Sequence, residues 1–387
     1  QPLAPLERHP SLPAGVQLSL RAAIEITERA LTEPARQALL ALSVFAPKPN
    51  TFSKEAALAV CATSAETLEA LLDAGLMESS GPNRYSLHQA IADYAGLALQ
   101  EQGPLERLAS FFTAYLQSHE RAYDALDLEA DNVQAALDAA HLCGMQAEMV
   151  RGTNSYARFL AVRGLTHTAQ DLLERAREAA AAEADTHALT ATLLNLGRVA
   201  YTQGENALAE QLYREALDQA RETGDTPGLV DALQGLGWIA QLKGEYALAK
   251  DHYHQGLVLA RQQQDPERIG SLLKNLGAIA TNENDPEQAK AFLLEGLSLA
   301  RQAAEVETAS TLLQNLGAIA EREGDYVLAE RYWREGLDMA RQIGHRDAAS
   351  AHLQSLGVLS SGRGDTDRAR EFYRESLALA REIGHRA

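Results

Sequence analysis

LLNLGRVAYTQGENALAEQLYREAL, residues 193–217, contains the pattern that decides the fold of this 387-residue chain. A Leu-Gly pair, an alanine and a bulky residue recur together with a step of 40 residues. The Leu-Gly glycines are Gly197, Gly237, Gly277, Gly317 and Gly357, the alanines are Ala209, Ala249, Ala289, Ala329 and Ala369, and the bulky residues are Tyr213, Tyr253, Leu293, Trp333 and Tyr373. Five copies without an insertion predict a repeat architecture.

Each copy predicts two helices separated by a turn. Leu193, Leu196 and Val199 have helical spacing, and Gly204 then offers a residue that can adopt positive φ at a helix end. The turn position is filled by Gly204, Gly244, Asn284, Gly324 and Gly364. The small residues allow the two helices to approach closely, and we expect the bulky residue to point toward the next unit. One hairpin cannot bury its apolar face alone, so the units must stack.

Several helix starts are marked by a cap residue before a proline. Asp285-Pro286 is followed by Gln288 at the spacing of a capping box, and Thr226-Pro227 and Asp265-Pro266 repeat the device. We therefore expect Asp285, Thr226 and Asp265 to be N-caps.

The repeat columns resemble the tetratricopeptide repeat over residues 187–387, and a more divergent copy fits 147–186. Leu replaces the usual Trp at Leu193, and Ala replaces the usual Tyr at Ala200, as in the 40-residue variety found in signalling proteins. The resemblance implies a mostly α chain ending in a right-handed α-solenoid of six units, 147–186, 187–226, 227–266, 267–306, 307–346 and 347–387. The last residues repeat the start of another unit, so we expect the natural protein to continue.

Residues 17–101 read differently from the repeats. Four helical patterns precede a β-hairpin whose turn is Gly81-Pro82-Asn83, and a capping box, Thr63 to Glu66, opens the fourth helix. This order predicts a winged-helix domain. The helix that would enter a DNA groove, about 64–76, carries three acidic residues and no Lys or Arg, and the whole chain has a net charge of −18. We therefore expect no nucleic-acid partner.

His88 lies where the hairpin meets a helix. LSVFAPKPNTFSKEAALAV, LEALLDAGLMES and RYSLHQAIADYAGLAL (42–60, 68–79 and 84–99) resemble the winged-helix domain of STAND-class, NB-ARC-like signalling ATPases. In that family a Met-His-Asp histidine reaches the phosphate of bound ADP. The resemblance implies this role for His88, although Gln89 replaces the acidic residue. The alternative is an imidazole that caps or packs the joint between strand and helix.

No phosphate-binding loop is found in the chain, so we expect no ATP hydrolysis and no cofactor here. ADP or ATP would belong to an upstream nucleotide-binding domain of the full-length protein. Residues 1–16 are interpreted as the linker to that domain, and 102–146 as a helical bridge. His119, Glu120 and Asp124 are better explained by a solvated helix face than by a metal site. Two cysteines and no long apolar run predict a cytoplasmic protein without a membrane partner.

First helices of such arrays line a concave face, and their outward positions are the candidate ligand contacts. Asn195, Asn275 and Asn315 resemble asparagines that grip a peptide backbone, although they could instead satisfy neighbouring helix ends. Trp238 with Arg198 and Tyr201 is the candidate anchor, unless Trp238 simply packs between repeats. The remaining candidates are Gln234, Lys274 and Gln314.

Three functions remain open at this point. The favoured one is the effector-sensing, autoinhibitory part of a STAND-type ATPase, in which the array binds a protein, a peptide or a small effector and the protein forms an oligomer on activation. The second is a passive interaction scaffold. The third, disfavoured by the acidic helix, is a DNA-binding regulator.

Overall fold

A computed structural model describes residues 20–384, which form nineteen helices and three short strands. The predicted mostly α fold is confirmed. The predicted linker, 1–16, lies outside the described residues. Contacts divide the chain into two compact units. The first contains the residues up to His119 together with Ala125–Gly152, and the second contains Glu120–Asp124 and the residues from Thr153 onward.

The first unit combines helices with a small antiparallel sheet of order β1-β3-β2. The predicted hairpin is present as β2 and β3, and β1 is a strand that the sequence did not predict; Phe52 of β1 is opposite Tyr85 of β3. The elements are α1 Leu20–Arg29, α2 Glu33–Leu42, β1 Phe52–Ser53, α3 Lys54–Cys61, α4 Ala65–Asp73, β2 Glu78–Ser79, β3 Arg84–Ser86, α5 Gln89–Ala98, α6 Gly103–Ser118 and α7 Tyr123–Leu142.

The predicted capping box at Thr63 is wrong by one residue. Ala62 takes a left-handed conformation, with φ of 49°, at the end of α3, so Thr63 belongs to the connection. Ser64 is the N-cap of α4, and its side chain hydrogen-bonds the carboxylate of Glu66, which together with the backbone lowers the pKa of that group.

The predicted array of helical hairpins is confirmed as six consecutive helix pairs among the described residues. The first helices of successive pairs contact one another directly from α10 to α18, so they form an inner layer. We call α8, α10, α12, α14, α16 and α18 the inner helices and their partners the outer helices. The bounds are α8 Gln146–Val162, α9 Thr166–Ala182, α10 Thr186–Thr202, α11 Asn206–Thr223, α12 Thr226–Leu242, α13 Tyr246–Gln263, α14 Pro266–Asn282, α15 Pro286–Gln302, α16 Val306–Arg322, α17 Tyr326–Gln342, α18 Arg346–Gly362 and α19 Thr366–Gly384.

The glycine of each Leu-Gly pair lies against the bulky residue of its own hairpin. A Cβ on Gly237 would be 2.2 Å from the ring of Tyr253, and one on Gly317 would be 2.3 Å from the ring of Trp333. Both aromatic residues are buried. The bulky residue also reaches the next unit as expected, because a Cβ on Gly235 would be 2.6 Å from the ring of Tyr213. These two columns of the sequence therefore encode one contact, which is repeated in the five units that carry the Leu-Gly pair.

The turn residues adopt the predicted conformation, with φ of 80° at Gly204 and 61° at Asn284. Asp285 and Asp265 are N-caps as predicted, each accepting a hydrogen bond from the N–H three residues later. The predicted cap at Thr226 is wrong. Asp225 caps α12, accepting from the N–H of Gly228 at 3.0 Å, because this helix begins at Thr226 and its proline is the second helical residue instead of the first.

One inner-layer position carries a buried histidine where the two preceding units have leucine. His352 is 1% exposed and occupies the position of Leu272 and Leu312. The Ser310 hydroxyl donates to the carbonyl of Gly336 at 2.9 Å, so it can only accept from Nε2 of His352, 3.0 Å away. Nδ1 has no protein partner among residues 20–384. Burial lowers the pKa of His352 to about 4.

This histidine predicts acid sensitivity of the array. Because the folded-state pKa of about 4 is below the ordinary value of about 6.5, the unfolded chain binds the proton more readily. The free energy of unfolding should therefore fall as the pH drops from about 6.5 to about 4, by at most about 3 kcal/mol. Urea unfolding followed by circular dichroism at both ends of this range measures the loss.

The His352→Leu variant, which copies Leu312, should lose less stability on acidification than the native chain. His254→Gln, on an exposed outer-helix position, serves as the control and should behave like the native chain. An equal acid-induced loss in the native chain and in His352→Leu would show that this imidazole is not the titrating group.

Candidate binding site on the inner helices

The second unit contains a polar cavity of about 470 Å³. Its walls come from α8, α10, α12, α14 and α16 and from residues 120–121. Four of the predicted ligand contacts line it, namely Arg198, Gln234, Trp238 and Lys274. We call this space the central cavity. The inner layer therefore lines a cavity that four of the predicted positions share.

Three cations of the central cavity, Arg121, Arg158 and Arg268, are matched by carboxylates. Arg268 forms a bidentate pair with Asp231, with N–O distances of 2.9 and 2.8 Å, and also pairs with Asp265 at 2.6 Å. Arg158 pairs with Glu307 at 2.7 Å and with Glu267 at 3.5 Å. Burial opposes ionisation of Glu307, but the charge of Arg158 holds the pKa of its carboxyl below the ordinary value. In these ion pairs the charges neutralise each other, and the pairs hold the side chains of the cavity walls in place.

Two other cations of the cavity have no acidic partner in the described chain. The ammonium of Lys274 makes no hydrogen bond or ion pair there, and Arg198 donates only to Oδ1 of Asn195, at 3.5 Å. Burial lowers the pKa of Lys274, and the nearby Glu307 charge only partly opposes this. An unmatched cation away from bulk water is unfavourable. In a chain of net charge −18, this pair of unmatched cations indicates a site for an anionic group.

An aromatic pair lies beside these cations. The ring centroids of Tyr201 and Trp238 are 6.0 Å apart with an interplanar angle of 33°. Trp238 is partly buried and packs against the apolar core of its neighbouring units, so the packing role considered for it is real. The Trp238 side chain also lines the cavity, so it both packs between repeats and faces the cavity. Gln234, which is 7% exposed, donates to the hydroxyl of Ser271, which also lines the cavity.

The remaining predicted contacts do not line the cavity. The amide of Asn195 donates to Oδ1 of Asn154 at 2.9 Å, and Asn154 donates to Thr192 at 3.0 Å, so this asparagine joins two inner helices. Gln314 donates to Ser355 at 2.8 Å in the same manner. Asn275 is 6% exposed, and its amide nitrogen has no protein partner within residues 20–384. Asn315 is partly buried. Asn195 therefore bonds a neighbouring helix, but at the middle of α8 and not at a helix end as the alternative supposed.

The sequence reasoning missed the acidic side of the site. Glu267 and Glu307 are one repeat step apart, so their spacing could have revealed them. Arg121 lies outside the repeats and gave no periodic signal. His119, Glu120 and Asp124 were expected to be on a solvated helix face; Glu120 is exposed, but it lies in a turn and accepts a hydrogen bond from the Ser155 hydroxyl at 2.8 Å. Across the described part of the chain, no group of His, Cys, Asp and Glu is placed to hold a metal ion.

His88 lies in the first unit as the N-cap of α5. Its Nδ1 accepts a hydrogen bond from the N–H of Ala90 at 3.2 Å, and the side chain is exposed. This geometry agrees with the capping alternative. It also fixes the tautomer of the neutral ring, because an accepting Nδ1 places the proton on Nε2.

Comparison with known proteins supports the repeat assignment. The tetratricopeptide-repeat family model matches residues 148–222, 189–262 and 307–382, and these stretches are tetratricopeptide repeats. No curated protein sequence is detectably similar to this chain. No helix between residues 20 and 384 has the length and apolar character needed to cross a bilayer.

Similar solved structures share the fold at low sequence identity. The Rap conjugation gene regulator of plasmid pLS20, in complex with a peptide, has a TM-score of 0.56 at 12% identity, covering 90% of this chain and 96% of that one. NprR with its cognate peptide NprX has a TM-score of 0.54 at 16% identity, covering 71% and 78%.

A STAND protein with a tetratricopeptide-repeat sensor from Pyrococcus horikoshii is also similar. Its TM-score is 0.52 at 16% identity, covering 95% of this chain. The chain spans 60% of the length of that protein.

The unmatched cation predicts an unusual response to mutation. Lys274→Met should raise the melting temperature of the array or leave it unchanged, because it removes a desolvated charge that has no partner. Arg268→Met should lower stability by about 1–3 kcal/mol, because it leaves Asp231 without its bidentate partner. Thermal unfolding followed by circular dichroism compares the two. A clear destabilisation by Lys274→Met would mean that this ammonium is already satisfied within the protein.

Proposed function

We propose that this chain is the effector-sensing part of a signal-transducing protein, and that the central cavity binds an anionic effector. The observation that carries the proposal is the pair of cations, Lys274 and Arg198, that face the cavity without a carboxylate partner. The fold likeness to the peptide complexes of the Rap regulator and NprR supports a peptide or a small molecule as the effector.

The lining suggests how such an effector is held. A carboxylate or phosphate would accept hydrogen bonds from Lys274 and Arg198, which removes the cost of their unmatched charges. A planar or apolar group would lie on Trp238 beside Tyr201, and the Gln234 amide would contribute to orientation. The volume of about 470 Å³ is within the range of roughly 300–1,000 Å³ typical of small-molecule sites. One or a few residues of a peptide would fit equally well.

The first unit would connect effector binding to a nucleotide switch. The order α2, β1, α3, α4 and the β2–β3 hairpin, followed by α5, agrees with the predicted winged helix, and the likeness to the STAND sensor protein supports this assignment. In the proposed resting state, Nε2–H of His88 donates to a phosphate oxygen of ADP held by an upstream nucleotide-binding domain. The chain itself performs no catalysis in this scheme, and it works in the cytoplasm. Effector binding would release the contact and allow ATP exchange and assembly, provided that the effector prefers the released state.

Effector binding can be tested without knowing the natural ligand. A library of tetrapeptides, half of them acidic with free carboxyl ends and half basic and amidated, is scored by thermal shift of the chain. Stabilising peptides should come from the acidic half, because only these neutralise the two cations. Their effect should be lost in Lys274→Met and Arg198→Met, and kept in Lys290→Met, because the ammonium of Lys290, on the outer helix α15, already pairs with Glu323. Stabilisation by basic peptides, or hits that survive Lys274→Met, would reject the site.

The nucleotide-sensing step predicts a gain of function in the full-length protein. His88→Ala should raise basal output, because it removes the donor to the ADP phosphate. Gln89→Ala is the neighbouring control and should leave basal output near that of the native protein. The measurement is release of bound ADP together with the oligomeric state. A passive scaffold would show no change in either readout, and an ADP-locked His88→Ala protein would refute the sensing role.

A further inference from the structure

Five residues from outside the repeats, Glu120–Asp124, lie against the inner helices of the second unit. The guanidinium of Arg121 pairs with the carboxylates of Glu267 and Glu305. The hydroxyl of Tyr123 donates to Oε2 of Glu307 at 2.8 Å. We call Glu267, Glu305 and Glu307 the acidic pocket and residues 120–124 the docked segment.

The docked segment is held as a ligand would be. Tyr123 has no exposed surface, its ring meets His345 edge-on at 5.3 Å between centroids, and the guanidinium carbon of Arg163 lies 5.6 Å from the ring centroid. Asp124 pairs with Arg346 at 3.3 Å. A charged residue and an aromatic residue two positions apart therefore each meet a separate recognition feature of the array.

The acidic pocket departs from the repeat pattern at the residue that Arg121 contacts. In the three preceding units the N-cap is an aspartate, and Asp185, Asp225 and Asp265 each accept a hydrogen bond from the backbone of their own helix. Glu305 occupies the same position, makes no cap, and turns its carboxylate to Arg121 instead. Local rules of helix structure are broken where a residue serves another purpose.

Two other features prepare the site. Glu267 and Glu307 are in the first turns of α14 and α16, where the helix dipole favours carboxylates whether or not a guanidinium is present. Gly344 has φ of 68°, and a Cβ there would lie 2.6 Å from the Asp124 carboxylate. Alanine adopts this conformation at the equivalent Ala304, and Gly224 has open space around it. The glycine at 344 therefore makes room for the docked segment.

We propose that the acidic pocket is a recognition site for a polypeptide segment with arginine and tyrosine two residues apart, and that Arg121 and Tyr123 fill it in cis. A partner presenting the same pair must displace the docked segment. Glu120 and Arg121 also line the central cavity, so an effector bound there would contact the occupant directly. The acidic pocket uses residues other than Lys274 and Arg198, so this proposal can be tested independently of the proposed anionic effector.

The exchange is energetically reasonable. Arg121, Glu267 and Glu305 keep between 19% and 38% of their side-chain surface exposed, so solvent weakens each ion pair. The tether supplies the occupant at an effective concentration in the millimolar range, which suppresses competitors unless the cis contacts are weakened. Removing the charge and the hydroxyl of the occupant should therefore open the pocket to a peptide in trans.

The test uses the fluorescent peptide QSHERAYDAL, residues 117–126, and the variant Arg121→Gln/Tyr123→Phe, which retains the side-chain volumes. Fluorescence anisotropy should show binding to the variant at least about tenfold tighter than to the native chain, because the cis competitor is weakened. Glu305→Gln added to the variant should weaken binding again, and a peptide with its arginine replaced by alanine should not bind. Arg301→Ala, which removes an exposed outer-helix pair with Glu335, is the control and should behave like the native chain.

A second measurement shows whether the segment leaves its pocket. Chymotrypsin cuts after tyrosine and phenylalanine alike, so cleavage at position 123 should be slow in the native chain and markedly faster in Arg121→Gln/Tyr123→Phe. Circular dichroism confirms that the array is folded. The proposal is overturned if the peptide binds the native chain and the Arg121→Gln/Tyr123→Phe variant with equal affinity, or does not bind the variant at all. It is also overturned if the rate of cleavage at position 123 is the same in both proteins.

Discussion

The contact between one glycine and one bulky side chain underlies the whole array. In five of the six hairpins the outer helix places a large residue where the inner helix has no side chain, as with Tyr253 on Gly237. This sets a short distance between the helices and buries the aromatic ring in the same step. Stacking then needs only a fixed period, which the invariant step of 40 residues supplies. The inner layer, and therefore the central cavity, follows from the repetition of this contact.

The sequence predicted what is periodic and missed what is not. The hairpins, the turn conformations and the cavity residues Arg198, Gln234, Trp238 and Lys274 could be found because they fall in columns. The N-caps predicted at Thr63 and Thr226 are one residue away, at Ser64 and Asp225, and at Asp225 the carboxylate accepts from the backbone of α12. Contacts between distant parts of the chain, such as that of Arg121 with Glu305, leave no trace in a repeat pattern.

Charge separates the two recognition features of the inner layer. One group of residues, around Lys274, has cations that lack a partner, while the adjacent acidic pocket has carboxylates that the chain itself neutralises with Arg121 and Arg158. An acidic protein can present such a cationic spot only by keeping its abundant carboxylates paired elsewhere. A nearby cleft of about 380 Å³ on α11–α13 shows the contrast, because its Glu210 is already paired with Lys243 and Arg214. Unmatched charge, rather than volume, therefore distinguishes the candidate site.

The docked segment also limits how the protein can evolve. Repeats with interchangeable interfaces are normally free to multiply or disappear, because a duplicated unit meets its neighbours through the same surfaces. Here Glu120 contacts Ser155 of the first repeat unit, while Tyr123 contacts Glu307 of the fifth repeat unit. Both contacts can form together only when the number of units between Ser155 and Glu307 stays the same. Duplication in that interval would separate the two contacts, whereas units added beyond α19 would leave both intact. Length variation among descendants of this chain should therefore concentrate at the carboxyl-terminal end.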